Sequence, residues 1–427
     1  MELLLFFAIF VSLMFLNCSV AFAMLLSSFA FFLIRDIPLL VIPERISAGL
    51  FSFPLLAMPF FILAARIMNS AGITRRLFNF CLVLVGHKRG GLAHVNVLAS
   101  LIFSGISGSA MADVAGLGVV EIKAMKENGY DPGYTAAVTA ASCTIGPVVP
   151  PSMLMIVIGV MMEESVGRLF AGGFIPGIMM GLSLIVLIYI QSFSKRIAFP
   201  PALPRAGAAE VFKAFRESFL ALLAPLIILG SILTGVATPT EAGVIAVLYS
   251  ILLGIIYKEL TFSGLFEVLK DSAFQTGAIM FIVAAAQIFA WIVTTERVAA
   301  VVYDLVIHFV TQKWAVLLIV NIVLLAIGCL IEGIAAIMIT VPVLLPVMQK
   351  FGVDPTHFGV FLCINILIGL LTPPLGMAVY ISSDLAQVPV METFRKSAPF
   401  LIPLLVTLLL VTYIPELTLF IPNLLFK

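Results

Sequence analysis

Two short stretches hold residues that could do chemistry at membrane depth. "SCTIGPVVPPSM" (Ser142 to Met153) and "ILIGLLTPPLGM" (Ile366 to Met377) each lie between strongly apolar segments. Proline removes a backbone donor and breaks helices, and glycine is the most permissive residue. A broken helix frees main-chain carbonyls, hard oxygen ligands suited to Na⁺, while half-helix N-termini attract anions. Beside the first break stand Ser104, Ser107 and Ser109, facing Ser142, Thr144, Gly146 and Val149. Beside the second stand Gly328 and Glu332, facing Asn365, Gly369 and Thr372. These residue types bind ions and small anions. An intramembrane hydrolase needs a nucleophile–base pair or metal ligands. No "HExxH" occurs, no histidine lies near Ser107 in sequence, and His87, His94, His308 and His357 lack ligand spacing and read as interfacial.

The elements that must position these residues are membrane helices. Of 427 residues, 62% are hydrophobic and 11% charged, with mean hydropathy +1.21, against about 25% charged in a soluble chain. Apolar runs of helical length recur, and a spanning helix needs about 20 such residues. Short alternating segments of a barrel are absent. The chain is therefore expected to be an all-α polytopic protein in contact with the lipid bilayer. Net charge +1 argues against nucleic acid as a partner. Five cysteines (Cys18, Cys81, Cys143, Cys329, Cys363) lie unpaired in apolar segments and read as buried free thiols. The opening "MELLLFFAIFVSLMF" lacks a basic flank and a clear cleavage site and reads as a retained helix. The abundant phenylalanine reads as lipid-facing bulk.

A shift of 223 residues brings the two halves into register: Gly105 falls on Gly328, "GYDP" on "GVDP", Gly146 on Gly369, and Pro150-Pro151 on Pro373-Pro374. Each half reads alike. Two apolar helices (about 3–17 and 19–34; about 216–234 and 240–257) precede a longer span (about 50–71; about 274–295). A short amphipathic piece follows, near Arg75 or Arg297. Next come two short helices meeting at a Gly-rich turn, read as a re-entrant hairpin because each is too short to span. The broken helix and a last span (about 170–192; about 400–422) complete the unit. The expected division is 1–193 for the first repeat, 194–215 for a connector carrying Lys195 and Arg196, and 216–427 for the second repeat.

Basic residues set the orientation. With the N-terminus outside, inner loops hold fifteen Lys and Arg and outer loops seven. That gives ten spans plus two hairpins, the first hairpin opening from the cytoplasm and the second from outside. The repeats are then inverted.

Single Gly or Pro residues in membrane helices often only kink or pack. Two breaks in corresponding positions, each beside a Gly-rich hairpin, favour a binding site instead. Asp113 either faces the cavity or caps "GSAMADVAG". Glu332, an intramembrane carboxyl at the second tip, is a candidate site residue. Glu241 in "ATPTEAG" is expected to support a helix start beside Thr238, and Arg66 to snorkel toward the inner surface.

Together, "FSGISGSAMADVAGLG", "GYDPGYTAAVTAASCTIGPVVPPS", "TPTEAG" and "LLTPPLGMAVY" make the whole chain resemble the large membrane subunit of tripartite ATP-independent periplasmic (TRAP) transporters. The "NCSV" turn departs from the family's usual Gly/Pro break. The resemblance implies an ion-transporter-superfamily fold in which hairpins and broken helices move against a scaffold as an elevator. It implies two or more coupling Na⁺ ions, a small membrane subunit, a periplasmic substrate-binding protein, and the bacterial inner membrane. Carried over, one Na⁺ site involves Ser104, Ser107, Gly146, Val149 and Pro150; the other involves Gly328, Gly369, Thr372 and a neighbouring carbonyl such as Met377. Asp113, Ser109, Ser142, Thr144, Glu332 and Asn365 are the substrate-binding candidates. Sialic acid is the preferred substrate and a C4-dicarboxylate the second. A stand-alone Na⁺/carboxylate symporter is the alternative, and a channel would not need paired hairpins.

Overall fold

A computed structural model describes residues 2–194 and 199–426, so the connector pair Lys195 and Arg196 lies outside the described residues. The described residues form helices and no strands. The first half runs α1 (Glu2–Phe15), α2 (Val20–Ile34), α3 (Val41–Leu50), α4 (Ala57–Ser70), α5 (Ile73–Val85), α6 (Gly91–Ser107), α7 (Ala110–Glu127), α8 (Pro132–Cys143), α9 (Met153–Met162) and α10 (Val166–Gln191). The second runs α11 (Ala208–Leu233), α12 (Pro239–Ile256), α13 (Phe262–Thr295), α14 (Val298–Phe309), α15 (Lys313–Leu330), α16 (Gly333–Lys350), α17 (Pro355–Gly369), α18 (Met377–Ala386), α19 (Val390–Tyr413) and α20 (Glu416–Leu425). Among the described residues, eight helical stretches are long and apolar enough to cross a membrane.

The repeated "G-x-D-P" explains why the helices stop and start where they do. Gly129 and Gly352 end α7 and α16 in the left-handed conformation, with φ +82° and +67°. The next residue's N–H then closes back onto the helix, Tyr130 to the Met125 carbonyl and Val353 to that of Met348, both at 3.0 Å. Asp131 and Asp354 cap the following helices through their carboxylates, and Pro132 and Pro355 sit where no N–H is needed. The punctuation works identically in both halves. Accordingly α7 and α16 lie 223 residues apart at both ends.

The structure corrects several boundaries. The last span of the second half is α19 at 390–413, not 400–422; Arg395 and Lys396, read as loop, lie inside it, and α20 is separate. The arms of the paired helices are 17 or 18 residues each, about 26 Å long, so their length does not set them apart from spans. The span read at 50–71 is divided at Ser52–Pro54, where Pro54 opens a short 3-10 turn before α4. Its repeat mate is the 34-residue α13, and α11 begins inside the stretch read as connector. Phenylalanine is not only lipid-facing: Phe6, Phe31, Phe61, Phe170, Phe289 and Phe361 are fully buried, whereas Phe262 is 89% exposed. His94 and His357 are buried rather than interfacial, the latter because both ring nitrogens find partners, Thr418 Oγ1 at 2.8 Å and the Thr412 carbonyl at 3.1 Å. Cys81, Cys143 and Cys363 are buried thiols; Cys18 and Cys329 are half-buried. Thr238 and Glu241 form the expected capping box of α12.

The halves interlock. The second leg of each broken helix packs on the other half: α9 lies against α16 and α17, while α18 lies against α7 and α8. The paired helices and broken helices thus share one continuous core. Around it, α4 packs on α12 and α13, and α2 and α3 pack on α13.

Candidate functional site

The turn between α6 and α7 is two residues long, Gly108 and Ser109. Gly108 takes the left-handed conformation (φ +59°), and its carbonyl accepts the Met153 N–H at 3.2 Å. This bond pins the tip to the start of α9. Ser109 is the cap of α7, accepting the Ala112 N–H at 3.4 Å. That leaves Asp113 free for another use. Ser107 Oγ donates to Asp113 Oδ1, and Asp113 Oδ2 is buried without a partner, aimed at Gly146, where a Cβ would collide with it. Asp113 therefore faces the first break, not the helix end. Among the described residues, the carbonyls of Gly105, Ser107, Gly146, Val149 and Pro150 accept no hydrogen bond. Buried carbonyls are almost always paired, so these oxygens, with the Asp113 carboxyl near Gly146, are unpaired hard donors of the type that suits a cation.

The second half repeats the design with different chemistry. Gly328 on α15 and Gly369 at the end of α17 approach backbone to backbone. The Leu375 N–H donates to the Cys329 carbonyl at 3.4 Å, fastening the break to the tip. Thr372 Oγ1 donates to the Gly369 carbonyl at 2.9 Å and lies 2.6 Å from Cys329 Sγ. The Gly328 and Thr372 carbonyls accept no hydrogen bond among the described residues. Glu332 caps α16, accepting the Ala335 N–H at 3.4 Å. Met377 opens α18 beyond the break. The first break is buried, but Pro373, Pro374 and Leu375 of the second are exposed.

The other candidates lie deeper in the packing. Ser142 joins Ser100 (3.1 Å) and Asn96 (2.7 Å), and Asn96 reaches Thr139 at 2.7 Å. Thr144 bonds back to the Ala141 carbonyl. Asn365 donates to Asn321 at 2.6 Å, and its own Oδ1 is left without a donor. These polar side chains tie α6 to α8 and α15 to α17.

A cavity of about 340 Å³ opens where α4 and α13 meet the first tip, lined by Arg66, Asn69, Ser107, Met111, Met153 and Gln275 among others. Arg66 does not simply reach for the surface. Its Nε and Nη2 both bind Gln275 Oε1, at 3.1 and 2.9 Å, and Nη1 binds Asp271 at 3.2 Å. Of the residues singled out from sequence for ion or substrate binding, only Ser107 lines this cavity.

The sequence of residues 7–417 matches the family described as "Tripartite ATP-independent periplasmic transporter, DctM component". The chain belongs to this family. It is 43% identical to the sialic acid TRAP transporter large permease protein SiaM of Vibrio cholerae, over 89% of each chain. It is 40% identical to the C4-dicarboxylate TRAP transporter large permease protein DctM of Pseudomonas aeruginosa, over 87% of this chain and 86% of that one. Among solved structures, the YdaH transporter of Alcanivorax borkumensis shares its fold, with TM-score 0.63 and 13% identity over 87% of this chain and 86% of that one.

This TRAP permease is accordingly a transporter, not an enzyme, and a multi-pass protein of the inner membrane. Of the cavity's polar lining, sequence reasoning missed Asn69 and Gln275 and read Arg66 only as snorkelling toward the inner surface. Arg66 had a signal, since a cation within an apolar segment is functional by default. Gln275, some two hundred residues away, had none.

Proposed function

We propose that this TRAP permease drives Na⁺-coupled uptake of an organic acid delivered by a periplasmic binding protein, with sialic acid preferred and a C4-dicarboxylate second. The relatives' names supply the two substrate classes. The word "tripartite" in the family description supports a small membrane subunit and a binding protein as partners. The observation that carries the Na⁺ reading is the pair of breaks, each fastened to its own helical tip and each leaving carbonyls without donors.

In this reading the ions are cargo. Na⁺ at the first break takes Ser104, Ser107, Gly146, Val149 and Pro150 as its neighbours, with the Asp113 carboxyl supplying countercharge. A second Na⁺ lies between Gly328, Gly369 and Thr372. The tips are re-entrant, the repeats inverted with the N-terminus outside, and the interlocked body moves as an elevator against α2, α4, α12 and α13. Substrate occupies the cavity beside Ser107, where Arg66 faces an anion. Ion binding draws each tip to its break, so the ion sites and the cavity wall form together.

The energetics permit concentration. At about 100 mV an inward positive charge releases roughly 2.3 kcal/mol, and a tenfold Na⁺ gradient adds about 1.4 kcal/mol. Two Na⁺ supply roughly 7 kcal/mol, against roughly 2.3 kcal/mol to import a monoanion.

Reconstitution in liposomes with and without the small subunit, binding protein and Na⁺ tests the proposal. Saturable sialic acid uptake that needs all three is expected. Full-rate uptake by this chain alone would establish the stand-alone symporter instead, and unsaturable flux a channel.

A further inference from the structure

A second cavity, of about 890 Å³, lies between α3, α13 and α14 on one side and α9 and α16 on the other. Its lining carries three cations, Arg45, Arg297 and Lys350, against one carboxylate, Glu163, together with Gln287 and Trp291. Among the described residues, none of the three cations forms an ion pair. The nearby Glu296 is taken by Arg35 at 3.1 Å. Aromatic faces hold two of them instead: the Arg45 guanidinium lies 5.8 Å from the Trp291 ring and the Lys350 ammonium 4.0 Å from that of Tyr303. A cation held over an aromatic ring keeps its charge and its hydrogen-bond donors available.

We propose that this cavity is an anion-capture vestibule that holds a small carboxylate-bearing ligand before it reaches the cavity beside Ser107. Converging charge of one sign in a low-dielectric hollow concentrates counter-ions and speeds their arrival. Arginine forks grip a carboxylate through two parallel bonds, and two of the three cations are arginines. The walls belong to both bodies, α3, α13 and α14 being peripheral and α16 part of the interlocked core, so movement between them reshapes the vestibule. The proposal rests on the orientation given above, which places Arg45, Arg297 and Lys350 on the outer side where a binding protein delivers its cargo.

The chain has two tryptophans, Trp291 and Trp314, so Trp314→Phe leaves one reporter inside the vestibule. The full chain carrying this change is placed in phosphatidylcholine nanodiscs without Na⁺ and titrated with N-acetylneuraminate, succinate or the uncharged N-acetylmannosamine. Both anions are expected to change Trp291 emission saturably and the neutral sugar to leave it unchanged. Arg45→Gln with Arg297→Gln is expected to raise the half-saturating concentration at least about tenfold. Lys350→Gln, on the opposite wall, gives an independent variant, and circular-dichroism melting verifies that each is folded. No response to the anions, or an unchanged curve in the variants, overturns the proposal. So does a response that requires Na⁺, which would report the Ser107 cavity, or one already saturated in phosphatidylglycerol nanodiscs, which would assign the vestibule to a lipid headgroup. A response to added binding protein but not to free anion makes it a protein-docking face and likewise overturns it. Na⁺-dependent uptake by the same protein tests the transport reading separately.

Discussion

Gly328 and Gly369 meet main chain to main chain: a Cβ on Gly369 would lie 2.6 Å from both the Cα and the carbonyl oxygen of Gly328. Nothing there is a flexible side chain that could swing away. Gly369→Ala is therefore expected to push the second break off its tip. Overpacking of this kind costs about 1–3 kcal/mol. A lower melting temperature in detergent and loss of Na⁺-dependent uptake are expected; a parental melting curve and uptake would show that the close approach is dispensable.

Ser107 links the first break to the cavity beside α4 and α13, since its hydroxyl binds Asp113 while its side chain lines the cavity. In Ser107→Ala the Asp113 carboxyl, whose other oxygen is already unpartnered, loses its remaining donor. A lost hydrogen bond to a charged group costs about 1.5–3 kcal/mol. Both the Na⁺ and the substrate concentrations for half-maximal uptake should rise, roughly ten- to hundredfold. A change in only one of them would separate the two sites.

Asp131 caps α8 and binds Lys396 on α19 at 2.5 Å. Partial burial pushes its carboxyl up, but the Lys396 ammonium and the capped N–H of Tyr134 outweigh this and hold it below the usual carboxylate range. A depressed folded value means the stabilisation is present above about pH 4, the unfolded value, and disappears as pH falls through the folded one. The pair is half-exposed, so its share is at most about 1 kcal/mol. Asp131→Asn should lower the melting temperature slightly at pH 7, and the difference should vanish toward pH 2. A difference that persists in acid would assign it to the helix cap.

Sidedness is testable at two exposed positions, Arg205 and Asp36. After replacement of the half-buried Cys18 and Cys329, a cysteine at Asp36 should react with an impermeant thiol reagent in intact cells and one at Arg205 should not. The opposite pattern would reverse the orientation and with it the outer placement of the basic vestibule.

The parts of the fold written as local backbone chemistry were legible in the sequence. "G-x-D-P" states a helix stop, a cap and a start within four residues, and it recurs in both halves. Both breaks were readable because glycine and proline act on their own backbone. What failed depended on partners distant in sequence. The role of Asp113 could not be decided until Ser109 was seen to occupy the cap. Lys396 looked like loop until Asp131 and Glu392 supplied its partners inside α19. The Arg66–Gln275 contact joins α4 to α13 and leaves no trace in either segment. Apolar length was also a poor guide, because α15 and α16, read as too short to span, are themselves long and apolar enough to cross a membrane.

Binding of coupling ions at the two breaks is tested most directly at Thr372. Its hydroxyl donates to the Gly369 carbonyl and lies 2.6 Å from Cys329 Sγ, which leaves one lone pair of the oxygen for an ion. Thr372→Val keeps the shape and deletes that oxygen, at a cost of about 1.5–3 kcal/mol for a lost contact to a charged group. Its repeat mate Val149 offers only a carbonyl, so Val149→Thr should be much milder. The measurement is uptake rate against Na⁺ concentration for both variants at matched expression. The expected result is a rise of roughly ten- to hundredfold in the Na⁺ requirement for Thr372→Val, with little change for Val149→Thr. A parental Na⁺ dependence in Thr372→Val would make "LLTPP" packing punctuation and contradict the second ion site.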